Sequence, residues 1–298
     1  MIKEEIKGHV AAITTNVIFG LNIPITKSLL SGWMSPMGYT ITRMIFGMCM
    51  FWIISLFQKR EKVAKRDLLM IFLCGLLGLV ATQVTFAVGL RYTTPVTYSL
   101  ILALSPIFVL ILSIVFLKES VTRRKAYGVL MGISGAAIII FQSSNGTSSN
   151  NTIFGIIIAV TGVTCYAGYI IITRKVSVKY SPVAMMKWMF LLSVFILLPF
   201  GISELPEQRV FSSDTSLPAL SGLLFALVFS SIIAFFLMPV ALKRIKATVA
   251  GVYINLQPLV ASAVAIFIGR DVFSWDKVSA AIFVITGVYM VTRNKIRK

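Results

Sequence analysis

Long apolar runs alternate with short polar interruptions along almost the whole chain. A membrane-crossing helix needs about 20 apolar residues to span a hydrocarbon core of roughly 30 Å. On that measure the runs divide into ten segments: 10–31, 36–57, 67–90, 93–117, 124–142, 153–174, 182–203, 217–242, 247–269 and 274–292. None shows the period-two alternation of a membrane barrel, so the pattern predicts helices. The connections are too short for an independent soluble domain. One of them, Ser143 to Thr152, is a polar, uncharged stretch of low complexity that reads as a flexible linker.

The second half of the chain repeats the first in weaker form. Thr93-Thr94-Pro95-Val96 opens a run that passes Ser105-Pro106, ends at Phe116-Leu117-Lys118-Glu119 and leads to Arg123-Arg124-Lys125 and a glycine-bearing stretch. The later copy starts at Ala247, passes Gln257-Pro258 and reaches Gly269-Arg270-Asp271, with Gly287 standing where Gly135 stands. Five segments per half is an odd number, so the second half enters the membrane with opposite orientation. The expected fold is therefore all-α and integral to a membrane, with ten transmembrane helices arranged as two inverted five-helix repeats around a central cavity. The repeats are 1–142 and 153–298, joined by the external linker 143–152.

Composition narrows the class further. Hydrophobic residues make up 57% of the chain and charged residues 13%, and the mean hydropathy is +0.91, which points to a lipid bilayer as the solvent. The net charge of +18 does not mark a nucleic-acid binder, because the basic residues are scattered through short loops. Outside the segments nearly all of them lie on one side, and the other side carries only Arg91, Arg209, Arg270 and Lys277. By the positive-inside rule both termini are cytoplasmic, in an inner or plasma membrane. Cys49, Cys74 and Cys165 all fall inside segments and read as packing residues. Gly128, Gly132 and Gly135 have the small-residue spacing of a close helix contact, either with the other half or with a second copy in a homo-oligomer.

Thr93-Thr94-Pro95, Ser105-Pro106, Phe116-Leu117-Lys118-Glu119-Ser120 and the Gly128 to Gly135 stretch resemble the EamA signature of the drug/metabolite transporter superfamily. The resemblance covers essentially the whole chain. It implies a secondary transporter or exporter of small metabolites, with two inverted bundles and a cavity formed largely by helices one, three, four, six, eight and nine. Members carry aromatic amino acids, threonine, cysteine derivatives and other metabolites. Gly269-Arg270-Asp271 departs from the family's Leu-Gly-Glu type of ending in the second half.

Candidate substrate-binding residues sit on helix faces. Thr15, Phe19, Asn22 and Thr26 share one face of the first helix, and Gly162, Tyr166, Tyr169 and Thr173 repeat the same spacing in the sixth. Gln83, Tyr98, Ser99, Asn255 and Gln257 add polar groups within segments, where an amide must find a partner or a wet cavity. The bland alternative for all of these is helix packing. Pro106 and Pro258 lie mid-span and are candidate hinges, each freeing a carbonyl about a turn earlier. Arg43 lies about seven residues from the end of its segment; it could snorkel, brace a helix, or attract an anion. Lys27 and Lys187 are nearer segment ends, where snorkelling is expected. All acidic residues fall in termini or loops and the sole histidine is His9, so no buried proton relay is evident. No catalytic motif, metal cluster or cofactor signature is present.

The expected activity is alternating-access transport or export of a small polar or amphipathic metabolite, with amino acids leading. An organic-anion or nucleotide-sugar exchanger is the alternative motivated by Arg43 and Lys187. A non-transporting membrane interaction subunit is the alternative from another class.

Overall fold

Ser35-Pro36 and Ser181-Pro182 start helices in the same way, and they show how sequence sets the architecture. In each pair the serine hydroxyl accepts a hydrogen bond from a backbone N–H three residues on (Gly38, Ala184). The proline occupies the first helical position, where no N–H is needed. The computed structural model describes residues 2–58, 61–93, 95–102, 104–118, 122–143 and 150–267, and past that only 275, 279, 282–283, 286–287 and 289–290. Most of the expected tenth segment and most of the linker thus lie outside the described residues.

Among the described residues the regular structure is all helix, with no strand. The chain runs α1 (Ile2–Leu30), α2 (Pro36–Leu56), α3 (Lys65–Gly75), a π-helical segment (Leu76–Ala81), α4 (Thr82–Tyr92), α5 (Pro95–Leu102), α6 (Ser105–Leu117), α7 (Arg123–Ser143), α8 (Asn150–Val176) and α9 (Pro182–Gly201). A short 3₁₀ turn (Arg209–Phe211) follows, then α10 (Leu217–Phe225), a second π-helical segment (Ala226–Ala234), α11 (Phe235–Arg244), α12 (Ala247–Tyr253) and α13 (Leu256–Phe267). Seven of these stretches are long and apolar enough to cross a membrane. α1 begins earlier than its apolar run because Glu4 and Glu5 extend it, placed where carboxylates suit the helix dipole. Exposed Leu56, Phe57, Leu130, Ile157, Phe195, Phe200 and Leu224 cover the outside, as a lipid-facing surface requires.

Two irregularities occur at matching places in the two halves. The third and eighth spans each contain a π-helical segment, whose wider turn frees a carbonyl from the usual ladder. A hydroxyl five residues on fills the gap both times: Thr82 Oγ1 donates to Leu77 O at 2.6 Å and Ser231 Oγ to Ala226 O at 2.9 Å. The fourth and ninth spans are each broken into two helices, between α5 and α6 and between α12 and α13. Pro106 and Pro258 were expected to kink continuous helices; instead each lies in the first turn of the second half-helix, where a missing N–H leaves no broken bond.

Packing interleaves the halves. α1 lies against α11 and α13, while its counterpart α8 lies against α4 and α6; α2 and α9 face each other. Each half's first helix is thus held by the third and fourth spans of the other half. The space left between them is the cavity described next.

Candidate substrate cavity

α1, α4, α5, α8, the second π segment and the start of α13 line a narrow cavity of about 50 Å³, well below the roughly 300–1,000 Å³ of open small-molecule sites. Asn22, Thr82, Gln83, Tyr98, Tyr166, Ser230 and Gln257 give its lining polar groups, and Phe19, Ile23, Phe86 and Leu102 give it apolar ones. The polar lining residues are all buried from bulk solvent. Aromatic pairs stiffen the walls: Phe86 meets Tyr98 edge-on with centroids 5.2 Å apart, and Phe19 meets Phe235 at 5.5 Å. Phe235 also packs on Tyr169 and Phe190, forming an aromatic layer on the side of the face where α1 begins.

Of the residues expected to bind substrate, Phe19, Asn22, Gln83, Tyr98, Tyr166 and Gln257 come together in this lining. Gln257 is held by its Nε2 donating to Asn16 Oδ1 at 2.8 Å. The Tyr166 hydroxyl is buried without a partner among the described residues. Thr15 turns instead toward the Ala234 carbonyl, 3.4 Å away. Tyr169 packs its ring on Gly78. Asn255, in the break between α12 and α13, is buried outside the lining, and neither of its amide atoms has a partner among the described residues. The side chain of Ser99 lies outside the described residues.

Arg43 does not snorkel. Its side chain turns inward, is 1% exposed, and donates from Nε to Ser231 Oγ at 2.8 Å, from Nη1 to Gln83 Oε1 at 2.7 Å and from Nη2 to Ser230 Oγ at 2.9 Å. Beneath it lies the Tyr39 ring, 5.2 Å from the guanidinium carbon, whose hydroxyl shares a 2.8 Å bond with Thr26 and accepts from Asn22 at 3.3 Å. Lys187 does not join Arg43. Its ammonium sits over Trp52 and Trp188 at 5.1 and 5.8 Å.

Polar clamps lie at both faces. At the face where α1 ends, Lys27 Nζ donates to Leu90 O, Arg91 O and Thr93 O at 2.7–3.1 Å. At the face where α1 begins, Arg174 Nη1 donates to Leu242 O at 2.7 Å and Lys243 O at 3.2 Å. Ser35 Oγ donates to Glu204 at the first face, and Ser181 Oγ donates to Glu61 at 2.6 Å at the second. Glu4 and Arg244 join α1 to α11 at 2.8 Å.

Several of these residues escaped the sequence reading: Thr82, Phe86, Ser230, Ser231 and Tyr39. The adjacent pairs Thr82-Gln83 and Ser230-Ser231 inside apolar runs were the available signal.

The EamA-like transporter family matches two stretches, residues 6–141 and 153–293. An uncharacterised transporter of Bacillus subtilis, YyaM, is 24% identical over 86% of this chain and 84% of its own length. An uncharacterised transporter of Archaeoglobus fulgidus is 25% identical over 88% and 91%. A probable terminal-alkyne amino-acid exporter of Streptantibioticus cattleyicolor is 43% identical over a quarter of each chain. A solved crystal structure superposes with a TM-score of 0.72 over 93% of this chain and 98% of its own, at 15% identity, a likeness of fold alone.

Proposed function

The chain belongs to the EamA-like transporter family, and from that membership and its buried amphipathic lining we propose that it moves a small polar or amphipathic metabolite across a membrane by alternating access, with amino acids the leading class. The observation that carries this reading is the cavity's position between interleaved halves, with a clamp of the same kind at each face. Hydroxyl and amide groups on one part of the lining suit the polar end of such a solute, and Phe19, Phe86 and Leu102 suit its side chain. The partial match to an amino-acid exporter agrees with this class.

In this mechanism a state with both clamps made is the occluded one. Release of the Lys27 clamp opens the face where α1 ends, and release of the Arg174 clamp opens the other. The breaks at α5/α6 and α12/α13 serve as hinges, next to Pro106 and Pro258. The solute shifts the balance between open states only through differential affinity for them. With both termini cytoplasmic by the positive-inside rule, the Arg174 clamp is the inner gate. The acidic residues among those described lie at the faces, so substrate movement down its own gradient is the favoured mode.

The test is counterflow in liposomes of purified protein, using labelled amino acids that include aromatic ones and threonine, with and without a pH gradient. Accumulation of one of them, abolished by Asn22→Ala, is the expected result. Silence across the panel from folded protein would sink the amino-acid assignment, and gradient-dependent uptake would replace facilitated movement with proton coupling.

A further inference from the structure

Arg43 carries a positive charge into the middle of a membrane protein and, among the described residues, meets only neutral acceptors there. Its hydrogen bonds go to Gln83, Ser230 and Ser231, and its ring contact is with Tyr39. The salt bridges among the described residues do not include it, and the described carboxylates lie in loops or in the first turns of helices. Bracing α2 against α4 and the second π segment needs hydrogen bonds but no net charge. A buried, unneutralised charge is costly, and side chains of this kind inside membranes ordinarily pair or serve a solute pathway.

The direction of the hydrogen bonds shows what the charge does to the cavity wall. Gln83 spends its amide oxygen on Nη1, which fixes the amide so that its NH₂ remains for the cavity. Ser230 accepts from Nη2, which frees its O–H to donate. Both residues line the cavity while Arg43 stands behind them. One guanidinium thus turns two adaptable side chains into a pair of donors and polarises both with a positive charge. Donors backed by a cation suit an anion.

Resting on the carrier reading above, we propose that the Gln83–Ser230 wall, backed by Arg43, is the site for a single carboxylate of the transported solute. Two donors match the two oxygens of one carboxylate. Lys187, the cation that a bulkier multiply charged anion would need as a second partner, is engaged with Trp52 and Trp188. An ammonium on the same solute would meet the neutral acceptors and aromatic faces of Asn22, Tyr98 and Tyr166. Arg43 is a positioning residue here; Gln83 and Ser230 make the contact.

The test compares three probes that share a side chain: L-phenylalanine, L-phenylalaninamide and 3-phenylpropionate. Binding to the purified full-length protein is read by ligand-induced thermal shift, without transport. The two carboxylates should bind at least tenfold tighter than the amide. Gln83→Glu is the decisive variant, because it keeps the side chain's shape and its partnership with Arg43 while replacing the NH₂ by an acceptor and neutralising the charge. It should cost the carboxylates at least tenfold and leave the amide unchanged or improved. Arg43→Gln should level the three probes. Equal binding of acid and amide by the wild-type protein, no binding by any probe, or unaltered carboxylate binding by folded Gln83→Glu overturns the assignment. Carboxylate-selective binding without counterflow overturns the carrier reading and leaves the site standing.

Discussion

Lys27 near the end of α1 and Arg174 near the end of α8 stand at corresponding places in the two repeats, and each grips the open carbonyl end of a neighbouring span. Lys27 holds the end of α4 and Arg174 the end of α11, at opposite faces of the protein. The last carbonyls of a helix lack intrahelical partners and carry partial negative charge, so a cation there satisfies hydrogen bonds and the dipole together. Hydrogen bonds to a charged group contribute about 1.5–3 kcal/mol. Losing either clamp therefore shifts an equilibrium between open and closed faces roughly tenfold or more.

The Tyr166 hydroxyl separates binding from folding. It is buried in the cavity wall without a partner among the described residues, so Tyr166→Phe removes an unsatisfied group and costs the empty protein almost nothing, with a change in stability within about 0.5 kcal/mol or a slight gain. If the solute is that hydroxyl's partner, the substrate KM in counterflow rises roughly 5- to 10-fold, the loss of about 1 kcal/mol. Thermal melting and counterflow on the same preparation check both halves of the statement.

The capping serines also lock the loops. Ser181 caps α9 and donates to Glu61 at 2.6 Å, and Ser35 caps α2 and donates to Glu204. Ser181→Ala loses both interactions and should cost about 1–2 kcal/mol, as for strong caps. Glu61→Gln should cost less, and the double variant should cost less than the sum of the two, because they share one interaction. Thermal unfolding of the four proteins measures the coupling.

Gly78 in the first π segment lets the Tyr169 ring of α8 lie on the backbone, where a Cβ would overlap the ring. Gly78→Ala should destabilise by about 1–3 kcal/mol, the usual cost of overpacking. Gly168→Ala is the control: its Cβ would approach only the flexible Leu77 Cδ1, at 3.1 Å. Thermal midpoints decide, and equal effects at the two sites would contradict the close approach.

Pro106 and Pro258 stop α6 and α13 from extending backward as continuous helices. In the Pro106→Ala, Pro258→Ala protein each new N–H can bond to the carbonyl four residues earlier, at Leu102 and Ile254. Leu102 O now accepts from Ser105 Oγ at 2.5 Å, and Ile254 O now accepts from the Gln257 N–H at 2.9 Å. The joined helices should slow counterflow severalfold while leaving substrate affinity unchanged. Unchanged turnover would remove the hinge role.

Much of this protein was legible in its apolar runs, because lipid forces each crossing to satisfy its backbone internally and so to be helical. The helix starts at Pro36 and Pro182 coincide with the starts of two apolar runs, and the serines before them cap locally. The facing stripes around Phe19, Asn22 and Tyr166 were legible because helical spacing puts such residues on one side. The π segments were not: Leu76–Ala81 and Ala226–Ala234 read as ordinary helix, and the wider turn depends on Thr82 and Ser231 filling a freed carbonyl. Nor could sequence reveal that Arg43 turns inward, since its acceptors come from α4 and the second π segment, far along the chain. Lys27 looked like a residue snorkelling at a segment end and Arg174 like one basic loop residue among several, and only tertiary packing supplies the helix ends they hold.

The central claim is that one cavity opens to one face at a time under the control of the paired clamps. It is tested most directly by a cysteine at Leu102, on the cavity wall, in a protein whose native cysteines have been replaced, labelled with a membrane-impermeant maleimide from each side of oriented vesicles. Lys27→Ala should speed labelling roughly tenfold from the face where α1 ends and slow it from the other, and Arg174→Ala should do the reverse. Acceleration from both faces by either variant, or from neither, would contradict an alternating carrier built on these clamps.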